Sequence, residues 1–283
     1  MVYLKSFSLP NQYHIDMNLL PSAYPSSVFY FKELTLITFE RITIFYGGNG
    51  SGKSTLLNLI SDKLGLQRIT TVDRSKEFHN FLHLCKYGLE EEEELRNGLP
   101  EGSKIISSED IMDHILNQRI NNKATGISQE KSFEEYMKYK FSDFHYRNLE
   151  DYENLKKVNT TRRLTATKYV NTNAGTKSRE FSNGENALNY FDRELKEGNL
   201  YILDEPENSL SPRYQFELTK LLTDMARFFN CQFIIATHSP FILSAEGARI
   251  YNLDEEPVEI RRWEELESIR FYHDFFKERD KYF

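Results

Sequence analysis

The chain holds only two cysteines, Cys85 and Cys231, far apart among 283 residues. They offer no disulfide framework and no metal-ligand spacing, so a reducing, cytoplasmic setting is expected. No run of 18 apolar residues occurs, and no membrane insertion by a spanning helix is expected. The opening stretch MVYLKSFSLPNQYHID lacks a charged start followed by an apolar core, so no signal peptide is expected. Positive charge is also in deficit. The net charge is -7, and such a surface as a whole does not attract nucleic acid or anionic membrane. A local basic patch stays open. What is present is 39% hydrophobic content, enough for a sizeable core in one or two domains.

One stretch carries its own chemistry. Ile42–Tyr46 is a short apolar run, as in a strand buried on both faces. GGNGSGKS follows at Gly47–Ser54 and fits G-x-x-x-x-G-K-[ST]. Leu56, Leu57, Ile60 and Leu64 then recur at helical spacing. Strand, loop and helix stand in the order a phosphate-binding loop needs. The glycines let backbone N–H groups curl inward toward phosphate oxygens, and the helix start adds partial positive charge. The candidate nucleotide-binding set is Gly47, Gly48, Asn49, Gly50, Ser51, Gly52, Lys53, Ser54 and Thr55. In such loops the lysine reaches the β- and γ-phosphates and the serine ligates Mg²⁺.

Two further apolar runs end in polar residues. Leu200–Leu203 leads into Asp204 and Glu205. An acidic pair at a strand's carboxyl end sits where open α/β sheets bind ligands. Asp204 is the second candidate metal ligand beside Ser54, and Glu205 the candidate base that polarises a water. Ser211 and Pro212 then suit the N-cap and first position of a helix, with Tyr214, Leu218, Leu221, Leu222 and Met225 on its apolar face. Phe233–Ala236 precedes Thr237, His238, Ser239 and Pro240. His238 is the second candidate catalytic residue, placed to bond the γ-phosphate or the attacking water. Upstream, REFSNGENALNYF spans Arg179–Phe191 and by itself is a turn followed by a helix start near Glu185.

GGNGSGKST, FSNGE, LYILDEP with ENSLS behind it, and ATHS stand in one order. The set resembles the ATP-binding-cassette (ABC) superfamily, and DEPENSLSP followed by THSP is most similar to its soluble branch. That branch includes SMC-like, RecF-like and OLD-like proteins and many short stand-alone AAA-type ATPases. The resemblance implies an α/β P-loop NTPase of ABC type, with a mainly parallel core sheet, an N-terminal antiparallel β subdomain and an inserted helical lid. It also implies ATP and Mg²⁺ as ligands, and a homodimer formed head to tail on ATP. Each ATP would lie between the phosphate loop of one copy and the signature Ser182, Asn183, Gly184 and Glu185 of the other. Asn208, Ser209 and Leu210 would form the D-loop joining the two sites. The signature departs from Leu-Ser-Gly-Gly-Gln, with Asn183 in a glycine's place and Glu185 in a glutamine's. The glutamine that usually follows the phosphate loop at a strand end has only Gln67, Gln118 or the replacement Glu109 as candidates.

The expected division is 1–64 for the β subdomain and phosphate loop, 65–178 for a mostly helical lid, and 179–283 for the rest of the core. No sustained heptads mark the middle, so a long coiled-coil arm is not expected. The acidic run LEEEEELR suits a solvated face. Leu155–Arg179 carries Lys156, Lys157, Arg162, Arg163, Lys168, Lys177 and Arg179 with no acidic residue. That segment is either a basic surface or a contact with phosphates of ATP or nucleic acid. Tyr30 and Phe31 are candidates to stack on the base, against ordinary packing. The activity the resemblance implies is ATP hydrolysis driving an effector protein or a nucleic-acid-linked process such as DNA repair or phage defence. Two alternatives share the motifs: the nucleotide-binding subunit of a membrane transporter, and an ATP-dependent switch with little turnover.

Overall fold

The computed structural model describes residues 1–69, 74–90, 98–142, 152–174 and 183–282. It divides into two compact units, Met1–Met112 with Asn183–Phe283, and Asp113–Ser182.

The first unit opens with β1 (Leu4–Ser8), α1 (Gln12–Asn18), α2 (Ser26–Phe29) and β2 (Leu36–Thr38). Next come β3 (Ile42–Tyr46), α3 (Lys53–Leu64), α4 (Lys76–Leu84), β4 (Lys86–Leu89) and β5 (Lys104–Ser107). α5 (Ser108–Lys140) then runs into the second unit, which continues with α6 (Tyr152–Arg163) and α7 (Ala166–Ala174). The first unit resumes with α8 (Asn183–Glu194), β6 (Leu200–Asp204), a 3₁₀ turn at Pro206–Ser209, α9 (Pro212–Phe228) and β7 (Gln232–Ala236). It ends with α10 (Pro240–Leu243), β8 (Arg249–Asn252), β9 (Glu259–Arg261) and α11 (Glu267–Glu278).

The core sheet has the order β5-β6-β7-β3-β8-β9. All its pairs are parallel except β8 with β9. The three apolar runs of the sequence become β3, β6 and β7, and every residue of β3 and β7 is buried. Helices cover such a sheet on both faces, which is why these runs do not alternate. A second, antiparallel sheet has the order β2-β1-β4. One core of Phe7, Ile37, Phe45, Leu56, Ile60, Phe81 and Ile234 spans both sheets, each side chain contributing about 1.5–3 kcal/mol by leaving water. Gln232 tethers the sheets. Its buried amide accepts from Tyr3 N and Leu4 N and donates to the carbonyls of Leu4 and Glu40, at 2.8–3.1 Å.

The second unit begins at Asp113, not at residue 65. Residues 65–112 stay with the first unit because they supply β4 to the antiparallel sheet and β5 to the core sheet. β4 carried no alternation strong enough to mark it in the sequence. In the second unit Tyr136 and Tyr169 meet with ring centroids 5.6 Å apart. The Lys140 ammonium donates to the carbonyls of Thr161 and Arg162, closing the end of α6. No helix among the described residues is long and apolar enough to cross a membrane.

Candidate functional site

Parallel order puts the carboxyl ends of β6, β7 and β3 along one edge, with β7 in the middle. Asp204 ends β6, Thr237 and His238 follow β7, and the glycine-rich loop follows β3. Three of the sequence motifs therefore meet where open parallel sheets hold ligands.

The loop from Gly47 enters α3 through Gly52, at φ +100°. A Cβ there would also meet Val28 Cγ1 at 2.6 Å, so both the backbone angle and the close approach of α2 require glycine. The buried Lys53 ammonium turns back on its own loop and donates to the carbonyls of Gly47 (2.7 Å) and Gly48 (2.9 Å). Ser51 Oγ is buried and has no hydrogen-bond partner. A buried hydroxyl without a partner in a glycine-rich loop fits a phosphate oxygen.

Ser54 Oγ donates to Asp204 Oδ1 at 3.0 Å, which joins α3 to a strand two places away in the sheet. Burial pushes the Asp204 carboxyl up to about 6, and the charges of Glu205 and Glu207 act the same way. The Ser54 hydrogen bond and the Lys53 charge oppose this. A half-buried carboxylate pressed toward neutrality is a group in want of a cation. Hard oxygen donors, one hydroxyl and one carboxylate, fit Mg²⁺. Among the described residues no group of three or more His, Cys, Asp or Glu could hold a metal, and Mg²⁺ with one or two protein ligands normally completes its shell with phosphates and water.

The raised value has a consequence for stability. The native state holds the Asp204 proton more tightly than the unfolded chain. The stability this confers is present at low pH and is lost as pH rises from about 4 through about 6. Asp204→Asn removes the cost of the buried charge. It is expected to stabilise the nucleotide-free protein by about 1–2 kcal/mol at pH 8, with partial exposure discounted. The gain should fade toward pH 4. Thermal melts of both proteins from pH 4 to 8 check this, and equal melting at pH 8 would overturn it.

Glu205 takes a left-handed backbone conformation, φ +47° and ψ +55°. A non-glycine residue held there costs on the order of 1 kcal/mol and marks functional turns. Its carboxylate stands between two partners. Oε1 is 3.9 Å from Lys53 Nζ, and Oε2 accepts from Asn208 Nδ2 at 3.0 Å. His238 is half exposed, its Nδ1 3.5 Å from Glu207 Oε1. Ser209 Oγ lies 3.0 Å from Met112 Sδ, and Leu210 is buried.

A cleft of about 340 Å³ adjoins this edge, lined by Ser54, Asp204, Glu205, Glu109, Asp110 and Arg68 among others. Of the three candidates for the strand-end glutamine position, Glu109 lines it, just past β5 and next to the Asp204 strand. Gln67 bridges Lys104, and Gln118 belongs to the second unit. Asp110 is tied back, its Oδ2 accepting from Ser107 N and Oγ.

Ser182 lies outside the described residues, as do Lys177 and Arg179 of the basic segment and most of LEEEEELR. Asn183, Gly184 and Glu185 open α8. Gly184 is buried, and a Cβ on it would meet the Tyr214 ring of α9 at 2.6 Å.

Three residues at the site were not singled out from the sequence. Tyr24 donates to Thr55 Oγ1 at 3.1 Å and stacks on Phe78 at 6.2 Å. Tyr30 instead donates to Asp16, and Phe31 packs edge-on against Tyr30. Asp254 follows β8 and accepts Gly48 N with both oxygens at 2.9 Å. Glu207 holds the turn of His238. Only the acid-after-strand pattern of Asp254 repeats a cue that marked Asp204.

The family model described as "AAA domain, putative AbiEii toxin, Type IV TA system" matches residues 191–244. That segment runs from the end of α8 through Asp204 and Glu205 to the turn of His238. No curated protein matches the chain in sequence. Among solved structures it is similar to the SMC head domain from Thermotoga maritima, at 15% identity and TM-score 0.42, covering 92% of this chain and 98% of that one. The Smc head domain of Pyrococcus furiosus, bound to the C-terminal domain of ScpA, is 14% identical with TM-score 0.46, covering 97% and 100%. CbiO1 from Clostridium perfringens, part of the ABC transporter complex cbiONQ, is 18% identical with TM-score 0.41, covering 96% and 94%. The fold is an α/β P-loop NTPase fold, on the chain's own loop, strand order and acidic strand end.

Proposed function

We propose that this chain, with its ABC-type P-loop fold, binds Mg-ATP, pairs head to tail with a second copy and hydrolyses the nucleotide. The observation that carries the reading is one edge of the sheet. There the lysine loop, the Ser54–Asp204 pair, Glu205 and His238 lie at the ends of three neighbouring strands.

Each residue has a task on this reading. The loop's N–H groups and Ser51 Oγ bind phosphate oxygens, and Lys53 releases its own carbonyls to reach them. Ser54 and Asp204 would hold Mg²⁺, which when bound neutralises charge on the phosphates. Glu205, at a strained turn beside Lys53, accepts a proton from the attacking water. His238 bonds the γ-phosphate or that water. Glu205 in place supports turnover over a silent switch. Pairing would bring the start of α8 from the second copy to the γ-phosphate, where a helix N-terminus favours an anion. Phosphate release from Mg-ATP tests the reading, with Glu205→Gln as the control that stops it.

What the cycle drives is an effector protein or a nucleic-acid-linked process, DNA repair or phage defence being the settings the motifs suggest. The exposed cations of α6 and α7 support nucleic acid. Lys156, Arg163 and Lys168 face solvent, whereas Lys157 is paired with Glu135 and Arg162 bonds Ser142 O. Binding to duplex DNA should weaken with salt at a slope of about -0.9 per phosphate contacted. No binding at low salt would leave this surface without that role.

A further inference from the structure

The loop after Glu205 and the turn carrying His238 are wired together by a buried circuit. Glu207 is 4% exposed. Its Oε1 accepts three hydrogen bonds, from Thr237 Oγ1 (2.6 Å), His238 N (2.9 Å) and Ser239 N (3.2 Å). Its Oε2 is buried with no hydrogen-bond partner. The circuit continues through Gln215 of α9. Gln215 Oε1 accepts from Ser239 Oγ at 2.7 Å, and Gln215 Nε2 donates to Leu210 O at 3.0 Å. Leu210 N donates to Glu207 O at 2.8 Å, and Glu205 N donates to Ala236 O at 2.9 Å. The loop of Asn208–Leu210 and the His238 turn are therefore tied to each other through Glu207 and Gln215.

A carboxylate buried without a cation is costly. An apolar side chain of the same size would remove that cost but leave three buried donors, Thr237 Oγ1, His238 N and Ser239 N, without a partner. What Glu207 does that no apolar group can is fix three donors of one turn at a single oxygen, which sets the backbone under His238. Asn208 bonds the Glu205 carboxylate from the same loop. Any displacement of that loop is thus felt at both Glu205 and His238.

We propose that Glu207 is a positioning residue, with Gln215 as its second tie, that transmits contact made by a second copy on Asn208–Leu210 to His238. The inference rests on the pairing described above. A shift of that loop on pairing would then move the backbone under His238 and change its alignment.

The test measures kcat and KM for Mg-ATP, and ATP-driven pairing by light scattering, in five proteins: wild type, Glu207→Ala, Glu207→Gln, Gln215→Ala and the double variant of Glu207→Ala with Gln215→Ala. The amide oxygen of Gln can take the place of Oε1, while its NH₂ falls where no bond is made. Glu207→Ala is expected to lose kcat about 10- to 100-fold, the scale of a misplaced group, with KM changed less than about 3-fold. Pairing on ATP should persist. Glu207→Gln should stay within about 3-fold of wild type, and Gln215→Ala should lose kcat as well. Combining Gln215→Ala with Glu207→Ala should add little, as for two members of one unit. Wild-type turnover in either Gln215→Ala or a folded Glu207→Ala overturns the coupling, and so does a folded Glu207→Gln as slow as the alanine variant. If Glu207→Ala fails to fold, Gln215→Ala and Glu207→Gln decide between the same outcomes. A wild-type protein without turnover overturns the ATPase reading itself, and the coupling with it.

Discussion

Glu205→Gln should slow ATP turnover about 10²- to 10⁴-fold while leaving ATP binding intact, the typical worth of a positioned base. The geometry argues for a loss in the chemical step alone. The Glu205 carboxylate bonds Asn208 Nδ2 and faces Lys53 Nζ from 3.9 Å, while the phosphate cradle is made by other residues. Gln keeps one oxygen for Asn208 and nearly the same volume. It loses the proton acceptor and one negative charge beside Asp204. Loss of that charge also eases the electrostatic pressure on Asp204, since Glu205 is among the groups that raise its pKa. Nucleotide binding should therefore be unchanged or tighter. Turnover by phosphate release and affinity by titration with Mg-ATP separate the two effects. Hydrolysis at the wild-type rate would remove Glu205 from the role of base.

The parts of the site legible in the sequence were those whose chemistry is local. Gly47–Ser54 is a loop defined by its own spacing, and β3, β6 and β7 announce themselves as unbroken apolar runs because both faces are buried. The same logic placed Glu205 and His238 at strand ends. What stayed hidden depends on partners distant in the chain. Glu207 reads as one more acid in DEPEN, and its burial against Thr237 exists only once β6 and β7 lie side by side. Asp254 meets Gly48 across 206 residues. Tyr24 reaches Thr55 because α2, just after it, packs against the start of α3. Four residues, Lys86–Leu89, were too few to show a period, so β4 was absorbed into the expected lid.

Ser182→Arg is expected to abolish ATP-driven pairing while the single chain still binds ATP. The sequence places Ser182 one residue before α8, which opens at Asn183. Pairing as proposed needs that helix start to approach the γ-phosphate held by the other copy, where partial positive charge and a serine hydroxyl meet an anion. An arginine there exchanges a small hydroxyl for a long, charged side chain at a close contact between two chains. The change is confined to one end of the helix. Gly184 seats α8 against Tyr214 with no room for a Cβ, and Ala187, Tyr190 and Phe191 bury its inner face. These anchors keep α8 in place, so the fold and the phosphate loop of the same chain should be untouched. The Glu205→Gln background makes the readout sharp, because ATP bound without hydrolysis should trap the pair. Light scattering with Mg-ATP should then report a dimer for Glu205→Gln and a monomer for the double variant, at equal nucleotide affinity in the monomer. A dimer in both would mean that the second copy does not use this helix start. A monomer in both would overturn the pairing itself, and with it any role for Asn208–Leu210 in joining two sites.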